Sequence, residues 1–215
     1  MSFSKQERLE LLYQQAVSYN GYKVMSQLYP LNTRYLERIE KVFHHALHDH
    51  PRTFAFKITL HLPIQLVYDT EELMKRFIAS LRAKIVSDRE RCKKDNPKAH
   101  RCTLRYVWVR EFGELNRGEH YHVALFLNGD AYRSVGKFEL GRDNLYNKVL
   151  EAWASALGIE LSLVVGLVHF DAHSSYLIHQ DDNESIQRCF YHFSYLAKRD
   201  TKHISYQRSF GASLK

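Results

Sequence analysis

The chain has 215 residues, 45% hydrophobic and 26% charged, which suits one globular domain with extra elements and excludes two large ones. Its net charge of +7 and pI of about 9.2 favour a polyanionic partner, because lysine and arginine release the counterions condensed on phosphates. The three cysteines (Cys92, Cys102 and Cys189) are too widely spaced for a disulfide framework or a zinc knuckle.

The sequence carries no signal for export or for a membrane. The N-terminal residues MSFSKQERLELLYQQ are charged and lack the apolar segment of a signal peptide. The longest apolar stretch, around residues 161–168, is too short to cross a bilayer. We therefore expect a soluble, cytoplasmic protein with no membrane partner.

The first fifty residues predict a helical extension. Apolar residues recur at helical spacing over about 9–17, until Asn20-Gly21 breaks the pattern. A second helix is predicted over about 33–48, and Pro51 ends it.

Strands and helices then alternate. Alternating and apolar runs predict strands over 53–62, 103–112, 120–127, 163–170 and 176–179. Helical periodicity predicts helices over about 70–92, 142–157 and 182–198. From Arg199 the chain is basic and is predicted to be irregular. The boundaries that follow are an N-terminal extension (1–50), a main domain (51–203) and a basic C-terminal tail (204–215).

The order from residue 53 onward, β-α-β-β-α-β-β-α, predicts an α+β fold. Hairpin-connected strands separated by helices indicate a central five-stranded antiparallel sheet with helices on one face. The other face is then expected to be partly open and to carry a site.

His120 and His122 stand two residues apart on a predicted strand, so both imidazoles project from the same face of the sheet. Glu111 lies near the end of the preceding strand, where a hairpin would bring its carboxylate alongside them. Two imidazoles and one carboxylate make a half-open site for Mg or Mn, with positions left for phosphate and water. Alone, a His-x-His strand is more often surface decoration.

A second group lies on the last predicted helix, in the sequence YHFSYLAK. Tyr191 and Tyr195 are one turn apart there, and Lys198 follows Tyr195 by three residues, so the three share a face. An ammonium beside a phenol favours the phenolate and suits attack on a phosphodiester. Tyrosines packed in the core beside a solvated lysine are the ordinary alternative.

Three motifs in order resemble the HUH endonucleases that start rolling-circle replication. AFKITLHL at 55–62 is similar to their first motif strand, His120-Tyr121-His122 to their histidine pair, and SYLAK to their tyrosine helix. The stretches GEHYHVALFLN and SYLAKRDTK most resemble the inovirus-type replication proteins, also called the YagK/YfjJ C-terminal family, of bacterial phages, prophages and satellite elements. The resemblance covers roughly residues 50–203.

The resemblance implies an HUH (RRM-like) fold and a nicking reaction on single-stranded DNA at a replication origin, inside a bacterial host cell. His120, His122 and Glu111 would hold the metal, and Tyr195 would attack the phosphate to give a 5′-phosphotyrosyl link and a free 3′-OH. Polymerase and a host helicase would be further partners. Tyr191 would be the second nucleophile, although Ser194 stands where such enzymes commonly carry a lysine after that tyrosine.

Other polar residues are weaker candidates. The histidines at 44, 45, 48 and 50 are interpreted as a solvated or partly buried helix end rather than a metal site. The stretch HFDAH at 169–173 is interpreted as a strand end and turn near the site. Thr59 and His61 lie two residues apart on the first motif strand, and both are expected to approach the face that carries the site. The residues predicted to contact the DNA backbone are Arg89, Lys93, Lys94, Arg199 and Lys202.

Two alternative functions stay open from the sequence. One is a DNA-binding regulator on the same scaffold with an idle metal site, and the other is a relaxase or transposase of the HUH class. The combination of histidine, glutamate, tyrosine and lysine favours catalysis.

Overall fold

The structure is a computed structural model that describes residues 4–63, 69–112, 118–199 and 209–214. Its strands are β1 (Val17–Tyr19), β2 (Tyr22–Val24), β3 (Arg52–His61), β4 (Arg105–Phe112), β5 (Glu119–Asn128), β6 (Val168–His179) and β7 (Phe210–Ala212). Its α-helices are α1 (Lys5–Gln14), α2 (Thr33–Asp49), α3 (Thr70–Asp95), α4 (Leu145–Leu157), α5 (Leu161–Val164) and α6 (Asn183–Phe193). Short 3-10 helices span Val165–Leu167 and Ser194–Ala197.

Five strands form one sheet in the order β6-β3-β5-β4-β7, and every neighbouring pair is antiparallel. The predicted α+β class and a five-stranded antiparallel sheet are therefore confirmed, but two of the predicted strands are the single strand β6, and the fifth strand, β7, was not predicted. β5, which carries both candidate histidines, is the central strand, so its residues have neighbours on both sides.

Helices cover both faces of this sheet, so the prediction of helices on one face is wrong. One face packs on α3 and α4 through residues such as Phe56 and Leu125. The other packs on α2 and α6 through residues such as Val109 and Phe126. The physical reason is visible in β5, where consecutive residues 123–127 are all buried and both parities are apolar.

The face of the sheet that packs on α2 and α6, called the second face below, changes from apolar to polar along the strands. On β4 the residues of this face run from Val107 and Val109 to Glu111, and on β5 they run from Phe126 and Ala124 to the two histidines. The apolar end lies under α2 and α6. The polar end is therefore the part of this face that the helix layer does not fill with apolar side chains.

β6 is one strand, whereas the sequence predicted two strands in this region. Residues 161–167 form helical turns, in which Val164 is buried while Leu163 and Val165 are exposed, so the strand begins only at Val168. It then continues to His179, because the predicted turn is a bulge: Phe56 pairs with Ser175 and Ile58 with Phe170, which leaves residues 171–174 opposite Lys57.

The N-terminal region contains a hairpin as well as helices. β1 and β2 are joined by Asn20 and Gly21, whose φ angles of 48° and 84° fit the tight turn that this dipeptide favours. α2 begins at an Asn32 cap and contributes Phe43 to the core of the second face. It therefore shares a hydrophobic core with the sheet.

The C-terminal part also differs from the prediction. α6 ends at Phe193 and a 3-10 turn follows, so the predicted helix to residue 198 is wrong beyond that point. The tail that was predicted to be irregular contributes β7, which pairs with β4 at the edge of the sheet.

Within the described residues, no single helix is long and apolar enough to cross a bilayer. The bent pair Leu145–Leu157 and Leu161–Leu167 reaches that length and composition only when its two parts are taken together.

Gly211 tests whether β7 belongs to the folded core. A Cβ at Gly211 would overlap the indole ring of Trp108, whereas a Cβ at Gly166 would meet nothing within 4 Å. We expect Gly211→Ala to lower the free energy of unfolding by about 1–3 kcal/mol, the usual cost of overpacking. Gly166→Ala is the matched control and should change it by less than about 0.5 kcal/mol. Urea denaturation measures both, and equal stability of the two variants would contradict a packed β7.

Candidate metal centre and tyrosine site

The β4–β5 register brings three candidate metal ligands together. Glu111 pairs directly with His120, and Val109 pairs with His122, so the carboxylate and both imidazoles lie on one face. Oε2 of Glu111 is 3.4 Å from Nε2 of His122 and 4.0 Å from Nε2 of His120. One ligand atom from each residue lies within 4.8 Å of the other two. The three residues therefore form the group that the sequence predicted.

Hydrogen bonds orient the two imidazoles. Nδ1 of His120 lies 3.3 Å from the carbonyl oxygen of Gly118, and Nδ1 of His122 lies 3.0 Å from Oγ1 of Thr59. Because a carbonyl can only accept, Nδ1 of His120 carries the proton in this bond. In its neutral form, its Nε2 then turns a lone pair toward the buried carboxylate of Glu111.

This arrangement fits a bound cation. Burial lowers the pKa of His120, assisted by neighbouring His122, so the neutral imidazole is favoured. A nitrogen lone pair facing a carboxylate oxygen is repulsive unless a positive charge lies between them. The donor set of two imidazoles and one carboxylate, with outer hydrogen bonds that fix the rings, is typical of a divalent metal site.

Two further histidines line the same end of the sheet. The ring of His61 stacks on His120 at 5.4 Å and meets His169 edge-on at 5.0 Å, measured between ring centres. Burial, together with the other three histidines, lowers the pKa of His61 to about 4. The His61 imidazole is therefore neutral near neutral pH.

Tyr195 lies directly against the histidine pair. It sits in the 3-10 turn after α6, and its ring meets His122 edge-on at 5.5 Å. Burial, followed by the charge of Glu111 and neighbouring Tyr29, raises the pKa of Tyr195 to about 12. The phenol is therefore protonated near neutral pH.

Two lysines flank the Tyr195 ring. The ammonium of Lys198 is 5.9 Å from the Tyr195 ring centre and only 4.6 Å from that of Tyr29. The ammonium of Lys57 is nearer to Tyr195, at 5.1 Å. Lys57 was not among the predicted site residues. Its signal was the polar series Lys57, Thr59 and His61 at alternate positions of β3, which places all three on the face of the site.

Tyr191 is not brought to this group. Its ring is 1% exposed and packs edge-on against Tyr13 at 5.2 Å, and its hydroxyl accepts a hydrogen bond from Nε2 of Gln27 at 3.0 Å. The predicted common face of the two tyrosines is lost because the α-helix gives way to a 3-10 turn between them.

The predicted DNA-contacting residues of α3 lie at the opposite end of the sheet. Asp88 accepts a hydrogen bond from Tyr132, which follows the Asn128 end of β5. His120 and Asn128 are separated by eight residues of strand, or roughly 26 Å. Lys93 and Lys94 follow in the last turn of α3. Arg89 is also engaged, since it pairs with Asp88 at 2.7 Å.

Arg199 is exposed and follows Lys198 directly, so it lies beside the tyrosine site. Lys202 lies outside the described residues.

The histidine-rich end of α2 has structural contacts. His44 hydrogen-bonds the hydroxyl of Tyr22 at 2.7 Å, and Nε2 of His50 accepts from the backbone N–H of Thr103 at 2.9 Å. Their interpretation as part of a helix end rather than a ligand set agrees with this geometry.

The chain belongs to the YagK/YfjJ C-terminal domain family, whose sequence model matches residues 14–213. It is 33% identical over 198 residues to the uncharacterized protein YfjJ of Escherichia coli (strain K12), covering 83% of this chain and 93% of that protein. It is 31% identical over 193 residues to the uncharacterized protein YagK of the same strain, covering 83% and 91%. No solved structure matches significantly. The family part of the predicted resemblance is therefore confirmed.

Metal binding tests the Glu111–His120–His122 group. We expect isothermal titration to detect one Mn²⁺ per chain and Glu111→Gln or His122→Ala to weaken binding by at least about tenfold, since losing even an outer-shell partner costs that much. His179→Ala is the control, because His179 is exposed and pairs with Asp181. Equal weakening by His179→Ala, or no Mn²⁺ binding by the unaltered chain, would contradict the assignment.

The lowered pKa of His61 predicts a pH-dependent stability. Between its ordinary value of 6.5 and about 4, the unfolded chain binds a proton at His61 that the folded chain does not. The free energy of unfolding should therefore fall as pH falls through this window, and His61→Gln should reduce the slope. Denaturation in EDTA from pH 7 to pH 4 measures it, with His179→Gln as the control. An unchanged slope in His61→Gln would refute the effect.

Proposed function

We propose that the chain is a metal-dependent nickase of single-stranded DNA that forms a phosphotyrosyl intermediate through Tyr195. The observation that carries the proposal is the contact between the Tyr195 ring and His122, which belongs to the Glu111–His120–His122 group. A nucleophile beside a group that fits a divalent ion is the arrangement that phosphoryl transfer needs.

The residues that would hold the ion are Glu111, His120 and His122. When bound there, Mg²⁺ or Mn²⁺ would supply Lewis-acid polarisation of a phosphate oxygen. Thr59 and the Gly118 carbonyl keep the rings turned for this role through their hydrogen bonds.

The proposed reaction is a transesterification. The phenolic oxygen of Tyr195 forms a bond to phosphorus and loses its proton, while the bond from phosphorus to the 3′ oxygen breaks and that oxygen takes up a proton. The products are a 5′-phosphotyrosyl protein and a 3′-hydroxyl strand end. Attack by a 3′-hydroxyl on the phosphotyrosine reverses the step and rejoins DNA.

The electrostatic setting of Tyr195 suits this reaction. Its raised pKa keeps the hydroxyl in the weakly nucleophilic phenol form until charge in the site changes. Lys57 and Lys198 supply positive charge on its flanks. Positive charge beside the nucleophile favours the negative transition state.

The biological role that we propose is initiation of rolling-circle replication on a phage, prophage or satellite element. It is supported by the order of the three motifs and by the net charge of +7. One nucleophile is sufficient for nicking and rejoining, and the buried hydroxyl of Tyr191 is held by Gln27. Tyr195 is therefore the residue on which the proposal rests.

Matched tyrosine variants test the proposal. The chain is incubated with Mn²⁺ and labelled single-stranded oligonucleotides tiled across the DNA flanking its gene, and covalent adducts are separated on a denaturing gel. We expect an adduct with the unaltered chain, none with Tyr195→Phe, and one that persists with Tyr191→Phe.

Other outcomes would change the assignment. An adduct that survives in Tyr195→Phe and disappears in Tyr191→Phe would exchange the two roles. DNA retention without any adduct, across all oligonucleotides and with either metal, would favour a DNA-binding regulator.

A further inference from the structure

Lys57 is a largely buried lysine of β3 beside the tyrosine site. Its side chain is only 14% exposed, and its Nζ lies 3.5 Å from Oδ2 of Asp171. That same carboxylate oxygen accepts a hydrogen bond from the hydroxyl of Ser174 at 2.6 Å. Asp171 and Ser174 belong to the β6 bulge, which leaves four residues opposite Lys57. The register that pairs Ile58 with Phe170 continues to Asp171 opposite Lys57, and the bulge adds Ser174 as the hydrogen-bond donor to that carboxylate.

The ammonium of Lys57 lies between this carboxylate and Tyr195. It is 5.1 Å from the Tyr195 ring centre, within the range of a cation–π contact and nearer than Lys198. Tyr195 in turn meets His122. The chain of contacts runs from Asp171 through Lys57 and Tyr195 to the candidate metal ligand.

Stability alone is a weak reason for this lysine. The Lys57–Asp171 ion pair returns little net free energy, because the Asp171 side chain is 45% exposed to water and the burial of Lys57 carries a desolvation cost. The apolar end of the same face is filled by small and aliphatic side chains such as Ala55 and Ala124. An aliphatic residue at position 57 would extend that packing without burying a charge.

We propose that Lys57, held by Asp171, is a positioning residue for Tyr195. It fixes the ring against His122 and contributes positive charge to the nucleophile. The catalytic consequence rests on the proposed nickase function, while the positioning itself is a property of the folded chain. The two are tested separately.

The first test measures single-turnover adduct formation with the oligonucleotide that the unaltered chain cleaves. We expect Lys57→Met to slow the rate at saturating DNA about tenfold, as a misplaced nucleophile does. The half-saturating DNA concentration should stay within about twofold, because Lys57 acts on the tyrosine rather than on DNA binding. Lys57→Arg should recover much of the rate, and Asp171→Asn should be slow.

Lys84→Met is the matched control. Lys84 is also a partly exposed lysine in an ion pair, with Glu151 at 2.8 Å, but it lies on α3 over the other face of the sheet. It should leave the adduct rate unchanged. An unchanged rate in Lys57→Met, or an equal loss in Lys84→Met, would overturn the inference.

The second test needs no catalysis. NMR spectra of the aromatic rings are recorded without DNA on a chain with isotope-labelled tyrosines. The Tyr195 signal is assigned as the one that is missing in Tyr195→Phe. We expect Lys57→Met to move the Tyr195 ring signals and Lys84→Met to leave them in place. If the unaltered chain forms no adduct, the nickase proposal fails and this spectrum alone decides the positioning. Tyr195 signals that are the same in Lys57→Met would refute it.

Discussion

Glu111 and His120 face each other across the antiparallel ladder of β4 and β5, and their register governs the arrangement of the site. A slip of one residue would send the carboxylate to the opposite face of the sheet, away from both imidazoles. The register is held by the apolar residues farther along the same strands, which are buried against helices on both faces. The core thus fixes the position of the polar end.

The second constraint is burial of charged and titratable groups at that end. Glu111 is 2% exposed, and burial lowers the pKa values of His120 and His61 at this end of the sheet. A buried carboxylate beside a neutral imidazole favours an incoming cation. Tyr195 shares this environment, which keeps its phenol protonated. The setting that fits a metal also keeps the proposed nucleophile in its weakly nucleophilic phenol form, so the proposal gives the flanking lysines a role.

Local sequence patterns predicted much of this arrangement. The two-residue spacing of His120 and His122 determines their common face, and the hairpin was sufficient to bring Glu111 to them. The local patterns failed where tertiary contacts determine the secondary structure. A bulge continues β6 through a predicted turn, and a change of helix type separates Tyr191 from Tyr195. Nothing local signals either event.

The presence of helices on both faces of the sheet also depends on tertiary contacts that local patterns did not predict. Alternation within β3 and β5 did not show that both parities would be buried, because a covered second face depends on α2 and on the distant α6. Lys57 stood among alternating polar residues of β3, yet its relation to Tyr195 depends on a contact across 138 positions of sequence, from 57 to 195. The Glu111–His120–His122 group was predictable from neighbouring strands, whereas the surroundings of Tyr195 required the fold.

Mass spectrometry of the trypsin-digested protein–DNA adduct tests the proposed role of Tyr195 most directly, because the peptide CFYHFSYLAK contains both tyrosines. We expect a nucleotide phosphate on Tyr195, and a phosphate on Tyr191 or on any other residue would contradict the proposed role of Tyr195.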